Sequence, residues 1–232
     1  MTSHFRNRFL TADPHFYHEA MLRPDTVGRP FSSVEEMNEV MIDNWNSVVK
    51  PTDIIDILGD FALHASAQDV AAIFHRLNGQ KNLIIGNHDT DKKGNLLPSL
   101  ARLPWGKPPA HLDEINFAGQ RIVLSHYAMV TWNAKHHGSF LAFGHSHGKI
   151  ESLPGSVDVG VDAQGFKPIS VEDFIVQAEK TFIDAPKVVE RFIDQTVFEL
   201  YREDDKGWVE RGRKYKEEHE AKERRSAYGR GS

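Results

Sequence analysis

The sequence contains no cysteine among its 232 residues. This absence excludes a disulfide framework, a thiolate metal site and a cysteine nucleophile. A long hydrophobic run is also missing, since no apolar segment approaches the roughly 18 residues that a membrane span requires. The polar and charged first residues lead into no apolar stretch of signal-peptide length. We therefore expect a cytoplasmic protein without membrane contacts.

An excess of basic residues is missing as well, because 28 Lys and Arg stand against 33 Asp and Glu, for a net charge of −5. Proteins that bind nucleic acids in general present a basic face. We therefore expect nucleic acid only as a substrate. The hydrophobic fraction of 40% is that of an ordinary globular protein. The 13 histidines are unusual, and their positions carry most of the information.

Short apolar segments alternate with amphipathic ones, which favours a layered α/β fold. Three serines, each followed three residues later by an acid, indicate helix starts at Ser33, Ser66 and Ser170. A hairpin is predicted around residues 118–120. The predicted strands are Arg8–Ala12, Asp53–Leu58, Lys81–Ile85, Glu114–Phe117, Arg121–Ser125, Phe140–Phe143 and Val157–Val161.

The pattern changes near residue 170, where helical and charged segments replace the strands. We expect residues 1–169 to form one domain and residues 170–232 to form a helical, charged C-terminal extension. Pro186 suits the first turn of a further amphipathic helix that reaches Leu200. That helix would either pack on the sheets or join two copies of the chain in a homo-oligomer.

Residues able to bind metals follow five of the predicted strands. Ligands of open α/β sheets bind outside the carboxyl ends of the strands, so these side chains should meet at one rim. Glycines beside three of them should let the backbone turn sharply there. The residues, in strand order, are Asp13 and His15, Asp60, Asn87, His126, and His145 and His147.

This mixed set of nitrogen and oxygen donors suits Mn, Fe, Zn, Ni or Co better than Ca or Mg. Seven ligands are too many for one catalytic ion that keeps an open position, but they fit two ions that share a carboxylate. Two divalent ions about 3.5–4 Å apart form the usual clamp for in-line displacement at phosphorus. We therefore expect a soluble hydrolase that uses two transition-metal ions to cleave phosphate esters.

The motifs resemble those of the calcineurin-like metallophosphoesterases, over roughly residues 9–165. In that family Asp-x-His, Gly-Asp, Gly-Asn-His-Asp/Glu, a single His and Gly-His-x-His occur in this order. The corresponding segments here are Asp13-Pro14-His15, Gly59-Asp60, Gly86-Asn87-His88-Asp89, His126 and Gly144-His145-Ser146-His147. The resemblance implies a four-layer α/β/β/α sandwich of two mixed sheets with the dimetal centre at the strand ends.

The resemblance also implies a role for each motif residue. One metal would be held by Asp13, His15, Asp60 and His147. The other would be held by Asp60 as the bridge, with Asn87, His126 and His145. His88 would not bind metal but would face the leaving-group oxygen, as a general acid or electrostatic stabiliser, while a metal-bridging hydroxide attacks phosphorus in line.

Two departures from the family pattern narrow this expectation. The protein Ser/Thr phosphatase branch carries an acid three residues after its Gly-Asp motif, where this chain has Leu63. This difference argues against a phosphoprotein phosphatase and leaves open which group orients His88. Pro14 stiffens the first motif without removing a ligand.

The segment after the fifth strand contains Asn133, His136 and His137. Loops at strand ends often carry function, so these residues could line the substrate pocket. A solvated connection is an equally good interpretation. Arg29 could contact a phosphate, although an ordinary surface arginine is favoured.

Several functions remain compatible with the motifs. The substrate would be a small phosphate mono- or diester, with manganese the favoured metal. A nuclease or cyclic-nucleotide phosphodiesterase of the same family would share every site residue. A mononuclear hydrolase would leave some of the seven ligands unused. A non-catalytic metal-binding scaffold would be expected to lose His88 or several ligands, and none is missing here.

Overall fold

The computed structural model describes residues 6–192, the last ten of them by their backbone alone. Eight strands and four α-helices lie in this part of the chain. The strands are β1 (Arg8–Thr11), β2 (Ile54–Leu58), β3 (Gln80–Ile84), β4 (Leu112–Phe117), β5 (Gln120–Ser125), β6 (Phe140–Phe143), β7 (Ser156–Asp158) and β8 (Ile169–Ser170). The helices are α1 (Val34–Val48), α2 (Ala67–Arg76), α3 (Pro98–Ala101) and α4 (Val171–Phe192).

The strands form two four-stranded mixed sheets. The first sheet has the order β3-β2-β1-β8, in which β1, β2 and β3 are parallel and β8 is antiparallel to β1. The second has the order β4-β5-β6-β7, in which β4 and β5 form the predicted antiparallel hairpin and β5, β6 and β7 are parallel. The predicted α/β fold with two mixed sheets is confirmed.

Helices α1, α2 and α4 begin directly after the three predicted serines, whereas the short α3 was not predicted. The hydroxyl of Ser33 accepts a hydrogen bond from the backbone N–H of Glu36, and Ser66 does the same for Asp69. Each serine satisfies one of the free N–H groups in the first turn of its helix. The buried side chains of α1 and α2 then pack in one cluster with outward-facing residues of the first sheet, such as Phe9.

The space between the two sheets forms the second part of the core. It is filled by Leu10 and Leu58 from the first sheet and by Ile122 and Leu124 from the second. Residues of α4, among them Phe174, pack into the same cluster. The predicted C-terminal extension therefore begins with turns that belong to the core of the sandwich.

The opposite face of the second sheet is covered, within residues 6–192, by the connection between β5 and β6. Trp132 packs there against Val123, Leu141 and Phe143. The Trp132 indole N–H donates to the carbonyl oxygen of Ser139 at 3.1 Å, so its polar atom has a partner within the same connection.

One helix prediction was wrong. The sequence favoured a new helix beginning at Pro186, but α4 begins after Ser170 and continues through Pro186 to Phe192. The amphipathic pattern carries the helix past the proline, although this residue cannot donate the N–H of a helical hydrogen bond. Residues 193–200 of the predicted helix, and the charged tail, lie outside the described residues. None of the helices between residues 6 and 192 combines the length and the apolar content needed to cross a membrane.

The packing of α4 leads to a first prediction. Phe174 is fully buried between α4 and the sheets, so Phe174→Ala should lower the free energy of unfolding by about 3–5 kcal/mol through lost burial and a residual cavity. Val176, on the same helix, is 43% exposed, and Val176→Ala should change it by less than about 0.5 kcal/mol. Urea denaturation of both variants measures the difference. Equal losses would contradict the packing described.

Candidate metal centre

The predicted metal ligands lie at the carboxyl ends of the strands. Asp13 and His15 follow β1, and the backbone N–H groups of both continue the pairing with the end of β2, donating to Gly59 and Asp60 carbonyls at 3.0 Å. A parallel bridge between Ala12 and Gly160 brings the segment after β7 to the same place. Both sheets thus contribute residues to a single rim.

Six of the candidate ligands form two compact clusters. Asp13, His15 and His147 make the first cluster, and Asp60, His126 and His145 make the second. Within each cluster the potential ligand atoms all lie within 4.8 Å of one another. This spacing is close enough for one cation to contact every member.

The carboxylate of Asp60 lies between the two clusters. Its Oδ2 atom is 3.5 Å from Nε2 of His15 and 3.5 Å from Nε2 of His126. Its Oδ1 atom accepts the backbone N–H of His88 at 2.8 Å, which fixes the orientation of the carboxylate. Asp60 is therefore placed to be shared by two ions.

Buried polar atoms without partners indicate that the first cluster is built for a cation. Oδ1 of Asp13 and both ring nitrogens of His15 are buried and make no hydrogen bond. Buried polar groups in proteins are normally hydrogen-bonded, so such atoms require an explanation. A divalent ion would satisfy the carboxylate oxygen and one imidazole nitrogen together.

The second cluster shows a comparable arrangement. His126 Nδ1 lies 2.8 Å from the carbonyl oxygen of Leu58 and must donate to it. Burial lowers the pKa of His126 to about 4, so its ring is neutral at pH 7 and Nε2 carries a lone pair. That lone pair faces Oδ1 of Asn87 at 2.9 Å. Two acceptors so close together would repel each other, and a cation bound between them would relieve the repulsion.

Burial also shifts the other titratable groups of the site. It raises the pKa of the Asp13 carboxyl well above its usual range, and the charge of Asp60 raises it further. It likewise raises the pKa of Asp60. The pKa of His15 is well below its usual range because of burial and the nearby charge of Arg29. A bound cation favours the ionised carboxylates and the neutral imidazoles that ligate it.

The backbone at the site is strained. Non-glycine residues rarely adopt positive φ angles, and strain of this kind concentrates at functional sites. Ten such residues occur within residues 6–192. Half of them are candidate ligands, namely Asp13 (φ 56°), His15 (φ 48°), Asp60 (φ 56°), His145 (φ 67°) and His147 (φ 49°).

The glycines of the motifs mainly allow carboxylate side chains to lie close to the backbone, and only secondarily allow sharp turns. A Cβ atom at Gly86 would lie 2.3 Å from Oδ1 of Asp60, and one at Gly144 would lie 2.4 Å from Oδ2 of Asp13. Only Gly59 among the three motif glycines has a positive φ, of 93°. The expectation of sharp turns thus holds at Gly59, whereas the other two glycines make room for carboxylates.

Asp89 connects two of the ligand-bearing turns. Its Oδ2 atom accepts the backbone N–H groups of Asp60 and Gly86, each at 2.8 Å, and its Oδ1 atom accepts that of Phe61 at 3.0 Å. The sequence analysis gave this residue no part in the site. The sequence shows only that Asp89 directly follows the Asn-His pair. It does not show that the carboxylate of Asp89 points back towards the end of β2.

The ring of His88 lies beside the first cluster without belonging to it. It is half-buried and packs edge-on against His15, with ring centroids 5.3 Å apart. Its backbone N–H, held by Asp60, sets its place. His18 is buried nearby, 6.0 Å from His88 between ring centroids, and exposed His64 contacts His18 at 5.2 Å. The site therefore has a histidine-rich side.

Asn133, His136 and His137 are not brought to the rim. Asn133 donates to the carboxylate of Glu114 on β4 at 2.7 Å. Gly138, next to His137, accepts from the side chain of Gln120, which starts β5, whereas His126 follows the end of that strand. The connection has returned to the opposite end of the sheet because the parallel strand β6 must begin there. Their placement therefore lends no support to the predicted substrate contact.

Arg29 is not a surface residue either. It is 3% exposed, and its guanidinium donates to Asp162 and to backbone carbonyls at 2.7–2.8 Å. Asp162 in turn accepts from the ring of His147 at 2.7 Å. Asp158 accepts from Ser146 and from the backbone N–H of Gly148. The sequence analysis missed both aspartates, although each lies near the end of β7 at the rim that carries the other ligands.

The chain is similar to known proteins in sequence. No protein-family model matches. The uncharacterized protein MJ1445 of Methanocaldococcus jannaschii is 30% identical over 183 residues, which cover 75% of this chain and 93% of that protein. The chain belongs to the family of MJ1445.

A solved structure shows the same architecture. The structure of AQ665, a protein of unknown function from Aquifex aeolicus, superposes with a TM-score of 0.58 at 26% identity, over 72% of this chain and 97% of that one. An archaeal phosphodiesterase gives a TM-score of 0.40 at 14% identity, over 66% of this chain and 82% of that one.

Asp89 offers a test of how this MJ1445-family chain holds its rim. Asp89→Ala leaves three N–H groups without their acceptor, at about 1–3 kcal/mol for each one that stays buried. We expect the free energy of unfolding to fall by about 3 kcal/mol or more, and Asp89→Asn, which keeps one acceptor oxygen, to lose less. Asp91→Ala in an exposed turn should cost about 1 kcal/mol or less. Chemical denaturation without metal measures all three, and similar losses at positions 89 and 91 would refute the role.

Proposed function

We propose that this chain is a phosphoesterase of the calcineurin-like type that uses two divalent transition-metal ions to hydrolyse small phosphate mono- or diesters. The observation that carries the proposal is the position of Asp60, whose Oδ2 atom lies 3.5 Å from an imidazole of each ligand cluster. A shared carboxylate between two nitrogen- and oxygen-rich clusters is the arrangement that a dinuclear centre requires.

Under this proposal the ligands divide as the motifs imply. Asp13, His15, Asp60 and His147 hold one ion, and Asp60, Asn87, His126 and His145 hold the other. The donors are oxygen and nitrogen without sulfur, which suits Mn, Fe, Zn, Ni or Co, and manganese is favoured. When bound, two such ions stabilise negative charge on the phosphate oxygens and lower the pKa of water at the site.

The side of the site that faces solvent gives the substrate access. Asp13, His15, Asp60 and His126 are buried and form the floor, whereas Asn87 and His145 are exposed at the rim. A phosphate group could therefore reach the metal positions directly. An open rim of this kind suits either a small phosphoester or the end of a polymer.

In the proposed mechanism His88 acts on the leaving group. Its ring is half-buried next to His15, and its backbone N–H is fixed by the shared carboxylate of Asp60. An imidazole in that position can donate a proton or a hydrogen bond to the oxygen that departs. Diester and monoester cleavage would use His88 in the same way.

The metal count tests the dinuclear proposal. Wild-type protein equilibrated with excess Mn²⁺ and then desalted should retain two ions per chain by elemental analysis. Asp13→Ala should retain fewer, because it removes a ligand of the first cluster. Asp60→Ala should weaken the binding of both ions, because it removes the shared carboxylate. One ion per chain in the wild type would favour a mononuclear enzyme, and none would contradict the site.

His88→Ala tests the proposed catalytic role. Turnover should fall by about 10²–10⁴-fold, the usual contribution of acid–base catalysis, with metal content unchanged. The loss should be larger for an alkyl phosphate than for a nitrophenyl phosphate, because a nitrophenolate departs without a proton. His75→Ala is the matched control, because His75 is exposed in the last turn of α2, which leads into the start of β3 and not into its ligand-bearing end. Wild-type turnover in the His88 variant with the alkyl ester would refute the assignment.

A further inference from the structure

Arg29 hydrogen-bonds to two parts of the rim that are distant in sequence, the segment after β7 and the turn after β1. Its Nε and Nη2 atoms donate to the two carboxylate oxygens of Asp162, both at 2.8 Å. Nη2 also donates to the carbonyl oxygen of Asp13 at 2.7 Å, and Nη1 donates to that of Pro14 at 2.8 Å. One buried guanidinium thus joins the segment after β7 to the first ligand-bearing turn.

Asp162 extends this connection to a candidate ligand. Its Oδ2 atom lies 2.7 Å from Nδ1 of His147. A carboxylate paired in two places with an arginine is ionised and can only accept hydrogen bonds. Nδ1 of His147 must therefore carry the proton, which leaves the lone pair of the neutral ring on Nε2.

We propose that Arg29 and Asp162 are a positioning pair for the first metal cluster. Asp162 sets the tautomer and orientation of His147, and Arg29 holds both Asp162 and the turn that carries Asp13 and His15. The proposal rests on the proposed dinuclear site. Under this proposal the pair holds the ligands of one of the two ion positions in place.

The backbone geometry explains why the first turn needs such support. Asp13 and His15 both adopt positive φ angles, of 56° and 48°. On one side the turn is held by the end of β2, through the N–H groups of these two residues. On the other side it is held by the two hydrogen bonds from Arg29. The strained turn is thus fixed from both sides.

Within residues 6–192, neither Arg29 nor Asp162 hydrogen-bonds to a side chain of the second cluster. His126 is oriented by the backbone carbonyl of Leu58 and not by a carboxylate. The Arg29–Asp162 contacts involve the turn after β1, His147 and the segment after β7. Loss of the pair should therefore weaken the first ion position and spare the second.

Asp162→Asn is the sharpest variant because it keeps the shape of the side chain. Its amide can present an N–H to Nδ1 of His147 and so favour the tautomer in which Nε2 carries the proton. That tautomer cannot bind metal through Nε2. Loss of such a supporting contact typically costs about 10–100-fold in metal affinity. We expect a drop of this size for one Mn²⁺ per chain in calorimetric titrations, with the other ion unaffected.

The tautomer itself gives a readout that needs neither metal nor activity. In the metal-free wild type, long-range ¹H–¹⁵N correlation spectra should show His147 protonated at Nδ1. In metal-free Asp162→Asn the proton should move wholly or partly to Nε2. Arg29→Lys, which keeps the charge but cannot donate to two oxygens and two carbonyls at once, should give an intermediate loss of affinity at the same ion position.

The matched control is another Arg–Asp pair, in the first sheet, whose arginine is partly exposed. Arg8 donates to Asp56 at 2.6 and 3.0 Å, and Asp56 is fully buried. Asp56→Asn should lower the melting temperature without changing either metal affinity. The positioning role would be overturned if Asp162→Asn lowered both affinities in proportion to its loss of stability. It would equally be overturned if this variant kept the Nδ1 tautomer and both affinities. A wild type that binds fewer than two ions would refute the dinuclear function, while the tautomer result would still decide the role of Asp162.

Discussion

Two buried carboxylates at the ends of adjacent parallel strands impose a constraint on the rest of the structure. Asp13 is fully buried and Asp60 is 1% exposed. Burial raises the pKa of both carboxyls, and the charge of Asp60 raises that of Asp13 further. Each accepts one backbone N–H, from His145 and His88 respectively. Those neutral donors offset part of the desolvation cost, and the facing imidazoles of His15 and His126 add no charge. A buried carboxyl is either neutralised by protonation or ionised beside a cation, so a bound cation would allow both groups to carry their charge.

This requirement accounts for features that would otherwise be unfavourable. Positive φ angles at five candidate ligands direct their side chains to the rim, and two glycines leave room where a Cβ atom would collide with a carboxylate. The site draws on β1, β2 and β3 of one sheet and on β5 and β6 of the other. It can therefore form only when the sandwich has closed, so that metal binding at this site would be thermodynamically coupled to folding.

The fold and the floor of the site were largely predictable because they depend on local patterns. Apolar runs located the strands, serine caps located the helices, and the rule that ligands gather at strand ends brought Asp13, Asp60 and His126 together. The contacts of Arg29, Asp89 and Asp162 were not predictable, since they depend on where side chains point in space. The predicted substrate contact of the loop with His136 stays a prediction: this loop leaves the ligand-bearing end of β5 but must reach the start of the parallel strand β6.

The two ion positions differ in what supports them. The imidazole of His126 is held by a main-chain carbonyl, whose position follows from β2 itself and is insensitive to the identity of side chains. The imidazole of His147 is held by Asp162, which depends on Arg29, a residue from the irregular segment that precedes α1. A main-chain support persists under substitution, whereas a side-chain support can be altered by one residue. Under the proposed dinuclear function, the first ion position would therefore be the one whose affinity a single substitution can tune without disturbing the sheets.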